Sequence, residues 1–125
     1  MTRMNKDWFA LLLSLSFILF IFAPVNSYAL NEEEKIKMLI ESVKDTPKGT
    51  QFIRNGKAYS VDDAVSHLYL KHSKTKSKIK TAKEFIKHVA SVSSVSGKEY
   101  LIRYPDGTTV TAETFFTERL RKISD

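Results

Sequence analysis

Asp63, His67 and Lys71 stand four residues apart in one segment of a 125-residue chain. On a helix, positions i, i+4 and i+8 line one flank. A carboxylate beside an imidazole is a minimal acid–base unit: Asp63 would orient the ring and His67 would move the proton. At 100° per residue, His67 lies about 120° and Lys71 about 80° from Val61, so the row borders the apolar stripe of that helix. The same residues also make an ordinary solvated charge ladder, with Asp near the N-terminus and Lys further on, as the helix dipole favours. The ladder is the preferred reading. No nucleophile is marked beside the row, and a GxSxG elbow is missing.

His72 falls near the axis of Val61 and Leu68, so it is expected at the end of the core with one ring nitrogen bonded to backbone. His67 and His72 are five residues apart, which does not suit a shared ligand face. The chain has no Cys and no HExxH, so no metal site or cofactor is indicated.

Three basic or hydroxyl features lie elsewhere. Lys74, Lys76, Lys78 and Lys80 alternate and would face one side of an extended strand. Such a strip suits phosphate or lipid head groups, although a solvated linker explains it as well. No aromatic residues interleave with these lysines, which argues against single-stranded nucleic acid. "SVSSVSGK" offers Ser94 and Lys98 as possible anion donors, but it is not a P-loop and reads more simply as a Ser-rich loop. Arg54 and Arg103 occupy matching places in two "(F/L)IR" segments. If the halves were related by a pseudo-twofold axis, Arg54, Lys98 and Arg103 could share an anionic groove. The candidate interaction residues are therefore Arg54, His67, Lys71, Ser94, Lys98 and Arg103.

The elements that must position them follow from local signals. In "NEEEKIKMLIESVKD", Asn31 caps a helix and Ile36, Leu39, Ile40 and Val43 form its stripe. "QFIR" and "KAYS" flank Asn55-Gly56, a strong hairpin signal. Ser60 and Asp63 start the next helix, which buries Val61, Ala64, Val65 and Leu68. Lys71 to Lys80 reads as a basic connector. Thr81 opens a third helix with Ala82, Phe85, Ile86 and Val89 inward. "EYLIRY" alternates like a strand, "PDG" turns, and "TTV" pairs back. Thr111 caps the last helix, with Ala112, Phe116, Leu120 and Ile123 on its stripe and Phe115 at the side. The predicted class is α+β, in the order αββα–αββα, with "FIRNGKAYSVDDA" and "LIRYPDGTTVTAET" as a weak internal repeat.

The compartment is written in the first residues. Arg3 and Lys6 precede the apolar run Trp8 to Ala23, Pro24 breaks it, and Ser27 and Ala29 take the small-x-small positions. This is the layout of a secretory signal peptide cleaved near Ala29. The expected organisation is a signal peptide over residues 1–29 and one domain over residues 30–125. Removing Arg3, Lys6 and Asp7 from 20 basic and 14 acidic residues leaves 18 and 13, a net +5. That excess favours acidic partners. Without cysteines, the domain must be held by apolar packing rather than disulfides.

"FIRNG", "AVSHL" and "TAKEFIKHVASVSSVSGKEYLIRYPDG" together resemble the YfeK-like family of small exported bacterial proteins of unknown function, from Phe52 to Gly107. The resemblance implies a periplasmic or secreted protein of a Gram-negative bacterium. It implies no activity, so no catalytic residues carry over. The expected function is a non-enzymatic binding or interaction module of the cell envelope, with an envelope protein or an anionic ligand as partner. Two alternatives are a small hydrolase using His67 and Asp63, and a secreted basic protein meeting anionic surfaces through Lys74 to Lys80.

Overall fold

The computed structural model describes residues 29–124. The signal-peptide reading therefore lies outside the described residues, apart from Ala29. Among the described residues, no helix is long and apolar enough to cross a membrane. Over the described residues the fold is α+β, with four helices and a four-stranded antiparallel sheet built from two hairpins.

Helix α1 spans Glu32–Ser42 and runs into a 3-10 turn at Val43–Asp45. The Asn31 side chain accepts from the Glu34 backbone N–H at 2.8 Å, and three glutamates in the first turn suit the dipole. Strands β1 (Gln51–Arg54) and β2 (Lys57–Tyr59) close the first hairpin. Asn55 and Gly56 have φ of 50° and 77°, the two left-handed residues that a type I′ turn requires. Helix α2 spans Val61–Thr75, with the Ser60 hydroxyl accepting from the Asp63 N–H.

Helix α3 is a single α-turn, Ala82–Phe85, continued by a π-helical turn at Ile86–Ala90. Thr81 caps it by accepting from the Glu84 N–H. Strands β3 (Leu101–Arg103) and β4 (Thr109–Thr111) form the second hairpin. Helix α4 then spans Ala112–Ser124, with the Thr111 hydroxyl accepting from the Thr114 N–H.

The two hairpins join into one sheet of order β2-β1-β3-β4. Tyr59, Phe52, Ile102 and Val110 are opposite one another in successive strands, and this row faces the helices. The helices close over it with Leu39, Ile40, Phe85, Val89 and Phe116, all almost fully buried. Phe115 is also buried. It meets Phe52 edge-on at 6.4 Å and Phe116 at 5.1 Å, so it lies inside the core rather than at its side. The wider apolar face comes from the sheet, which supplies a second wall that the helix period alone does not reveal.

The register also revises the repeat. Phe52 pairs with Ile102 and Gln51 with Arg103. A twofold axis through the sheet must keep each side chain on its own face. It therefore relates Phe52 to Ile102 and Arg54 to Tyr104, one residue away from the sequence alignment. Because the side-chain period is two, that one-residue offset sends Arg54 and Arg103 to opposite faces.

Helix α2 runs further than the predicted connector allowed. It continues to Thr75, leaving residues 76–80 as the link, with Ile79 buried as its anchor. Lys74 lies in the helix and Lys76 is its C-terminal cap residue. Successive residues there turn by about 100°. Lys74 and Lys76 are therefore turned apart, Lys78 and Lys80 follow in the link beyond the helix, and the four, all exposed, do not form one extended strand.

Candidate functional site

The antiparallel register carries Arg54 one step past the β1–β3 pairs, level with Tyr100 at one end of the sheet. Helix α2 crosses that end. Together they enclose a cavity of about 30 Å³, room for a water or two, lined in part by Arg54, Tyr59, Asp63, His67 and Tyr100. Its floor is apolar, with Phe52, Leu68 and Phe116. Its open side carries the exposed Asp63 and the half-buried Arg54, Tyr59 and His67.

Arg54 is held by an aromatic partner, with its Nη2 donating to the Tyr59 hydroxyl at 3.5 Å. Its guanidinium carbon is 4.5 Å from the Tyr59 ring centroid, a cation–π distance. Among the described residues, no ion pair involves Arg54. His67 stands across the cavity with its ring 6.4 Å from that of Tyr100. Its Nε2 is buried and has no hydrogen-bond partner. Burial first, and then the positive charges of Arg54, Lys71 and Lys74, push the His67 pKa down to about 4, so the ring is neutral at pH 7.

Lys71 departs most from its expected place. It is buried, with 7% of its surface exposed. Its ammonium donates to the Val89 carbonyl at 2.7 Å, the Val92 carbonyl at 2.8 Å and the Tyr100 hydroxyl at 3.1 Å. Three donors thus meet three acceptors. Lys71 caps the carbonyl end of the π-turn after α3, where a cation complements the helix dipole. Burial and then Arg54 lower its pKa to about 8. The role is structural, and the surface-ladder reading fails for this residue.

The remaining candidates are dispersed. Ser94, Lys98 and Arg103 are exposed and do not line the cavity. Arg103 is at the far end of the sheet and on its other face, so no groove joins it to Arg54 and Lys98. The serine loop is a clasp. The Ser93 hydroxyl accepts from the N–H groups of Val95 and Ser96 and from the Asn55 amide, while the Ser96 hydroxyl donates to Asn55. The loop thereby locks the turn that precedes β2.

His72 is buried as expected, but its Nε2 is 2.9 Å from the Glu33 carboxylate, not on backbone. That contact ties α2 to α1, and it holds the Glu33 carboxyl below its ordinary range. Among the described residues, no group of three or more His, Asp or Glu side chains is placed to hold a metal ion.

The sequence reading missed Tyr59 and Tyr100. Their local signal was present, since each alternates in phase with a buried strand residue, Tyr100 with Ile102 and Tyr59 opposite Phe52. What brings them to one site is the β1–β3 pairing, which no local pattern encodes.

These features define a small, cysteine-free α+β domain with an arginine- and tyrosine-lined cleft at one end of its sheet. Residues 30–124 match the profile described as "Family of unknown function (DUF5329)", and the chain belongs to this family. It is 42% identical over 78 residues to the "Uncharacterized protein YfeK" of Salmonella typhimurium (strain LT2), an alignment covering 62% of each chain. No solved structure matches the chain.

Proposed function

We propose that the protein is a non-enzymatic binding module of the bacterial cell envelope, and that the Arg54–His67 cleft is its recognition site. One observation carries this reading: Arg54, stacked on Tyr59 and free of any ion pair among the described residues, shares a cavity with a buried His67 nitrogen that has no partner. A preformed cavity that sets a cation without an acid partner and an unpartnered imidazole nitrogen around an apolar floor is what a ligand site offers.

The same groups are poorly set for general acid–base work. A base near pKa 4 is weak at neutral pH, where the best catalytic base titrates near the working pH. The Asp63–His67 hydrogen bond of the hydrolase reading is not among the bonds of the described residues, and Lys71 is occupied by carbonyls. Placement in the envelope rests on the signal-like segment before Leu30 and on the family resemblance. The net positive charge favours an acidic partner.

The test is a panel of ester, phosphate, glycoside and peptide substrates, run beside binding measurements on envelope extracts. The expected result is no turnover, with binding lost in Arg54→Met. Turnover by the wild type that disappears in a folded His67→Ala variant would replace the binding module with a hydrolase.

A further inference from the structure

We infer that the Arg54–His67 cleft takes a single carboxylate group, gripped by the Arg54 guanidinium and the His67 Nε2, and that its capture draws a proton onto His67. The inference rests on the binding reading above and names the chemistry of that ligand.

Four observations point to a carboxylate. Guanidinium groups bind planar carboxylates through two parallel N–H bonds, and Arg54, held over the Tyr59 ring and donating to its hydroxyl, has no competing acid partner among the described residues. The His67 Nε2 is sealed and without a partner in the empty site, so the ring must shift to meet a ligand oxygen, which then satisfies it. The cavity of about 30 Å³ has room for one small head group and no more. Finally, the exposed Asp63 lies on the rim, where its negative charge penalises a dianion more than a monoanion.

The proton follows from what surrounds the ring. Arg54 and Tyr59 face His67 from the first hairpin, Tyr100 from the start of β3, and Asp63, Lys71 and Lys74 from its own helix. Burial and the three cations suppress protonation in the empty site. A carboxylate against Nε2 offsets those cations and raises the affinity of the ring for a proton. Between the free and bound pKa values, binding therefore strengthens as pH falls, by about tenfold for each unit of upward shift.

Isothermal calorimetry on the protein, at constant ionic strength, tests this with sodium acetate, a blocked glutamate peptide and inorganic phosphate. Both carboxylates should bind more tightly at about pH 5.5 than at about pH 8, with proton uptake visible as a dependence of the heat on buffer ionisation. A peptide that binds more tightly than acetate assigns the group to a partner's acidic side chain; equal affinity assigns it to a free small acid. Arg54→Met should weaken binding about tenfold or more, and Arg54→Lys should weaken it through loss of the two-point contact. His67→Gln should weaken binding and abolish its pH dependence, whereas a merely structural role for the ring would leave the pH dependence in place. Tighter binding of phosphate, or acetate binding that ignores both Arg54 variants, overturns the inference. Either result leaves the non-enzymatic reading standing, which only turnover removes.

Discussion

His67 and Lys71 are neighbours on one helix flank, yet burial gives them different work. His67 keeps an unpartnered nitrogen in a cavity, and Lys71 fills all three donors. For His67, carbon-13 NMR should follow a titration near pH 4, well below the ordinary 6.5; a midpoint at or above 6.5 would contradict the burial described. Because the folded value lies below the unfolded one, its neutral form favours folding. That contribution is complete above about pH 6.5 and is lost as pH falls towards 4. Replacing His67 by Gln should flatten this part of the stability curve, measured by urea unfolding at several pH values.

For Lys71, the Met variant leaves two carbonyls and a phenol without their donor and should cost about 2–3 kcal/mol. Lys74→Met, on the exposed side, should change stability by less than about 0.5 kcal/mol. Equal effects in denaturant unfolding would remove the structural role of Lys71. The sequence placed both residues on the correct flank. It could not show that this flank lies in the crease between α2, the π-turn and Tyr100, because burial depends on what packs there.

At the scale of elements, most boundaries were legible because their causes are local. Asn31, Ser60, Thr81 and Thr111 each accept from a backbone N–H at a helix start, as side-chain caps do. Asn55-Gly56 turns the first hairpin as its two positive φ angles require. The end of α2 was less legible. Lysine-rich composition suggested a linker, but buried Lys71 and His72 anchor another turn of helix to α3 and α1. The serine loop shows a further dependence between elements. Its Ser93 and Ser96 hydroxyls hold the Asn55 side chain, so hairpin and loop should loosen together. Asn55→Ala loses these contacts and places Ala at φ 50°, a change expected to cost about 1–2 kcal/mol. Hydrogen exchange should then rise in residues 93–97 as well as at the turn; faster exchange at the turn alone would show that the clasp is not coupled.

Over the whole molecule, sheet order decides which charges meet. Sequence alignment of the two hairpins paired Arg54 with Arg103, while the β1–β3 register sends them to opposite ends and opposite faces. Arg54 instead joins His67 and two tyrosines, and a site emerges that no single segment contains. Without disulfides, its support is the apolar core: Phe116→Ala should cost about 3–5 kcal/mol and disturb the cleft whose floor it forms. The most direct test of the binding site is an amide and histidine NMR shift map of the protein on adding acetate at about pH 6, between the free His67 value and the neutral range. Shifts should concentrate at Arg54, Tyr59, His67 and Tyr100 and vanish in Arg54→Met. Shifts centred on Lys74 to Lys80, or on Lys98 and Arg103, would contradict the assignment of recognition to the cleft.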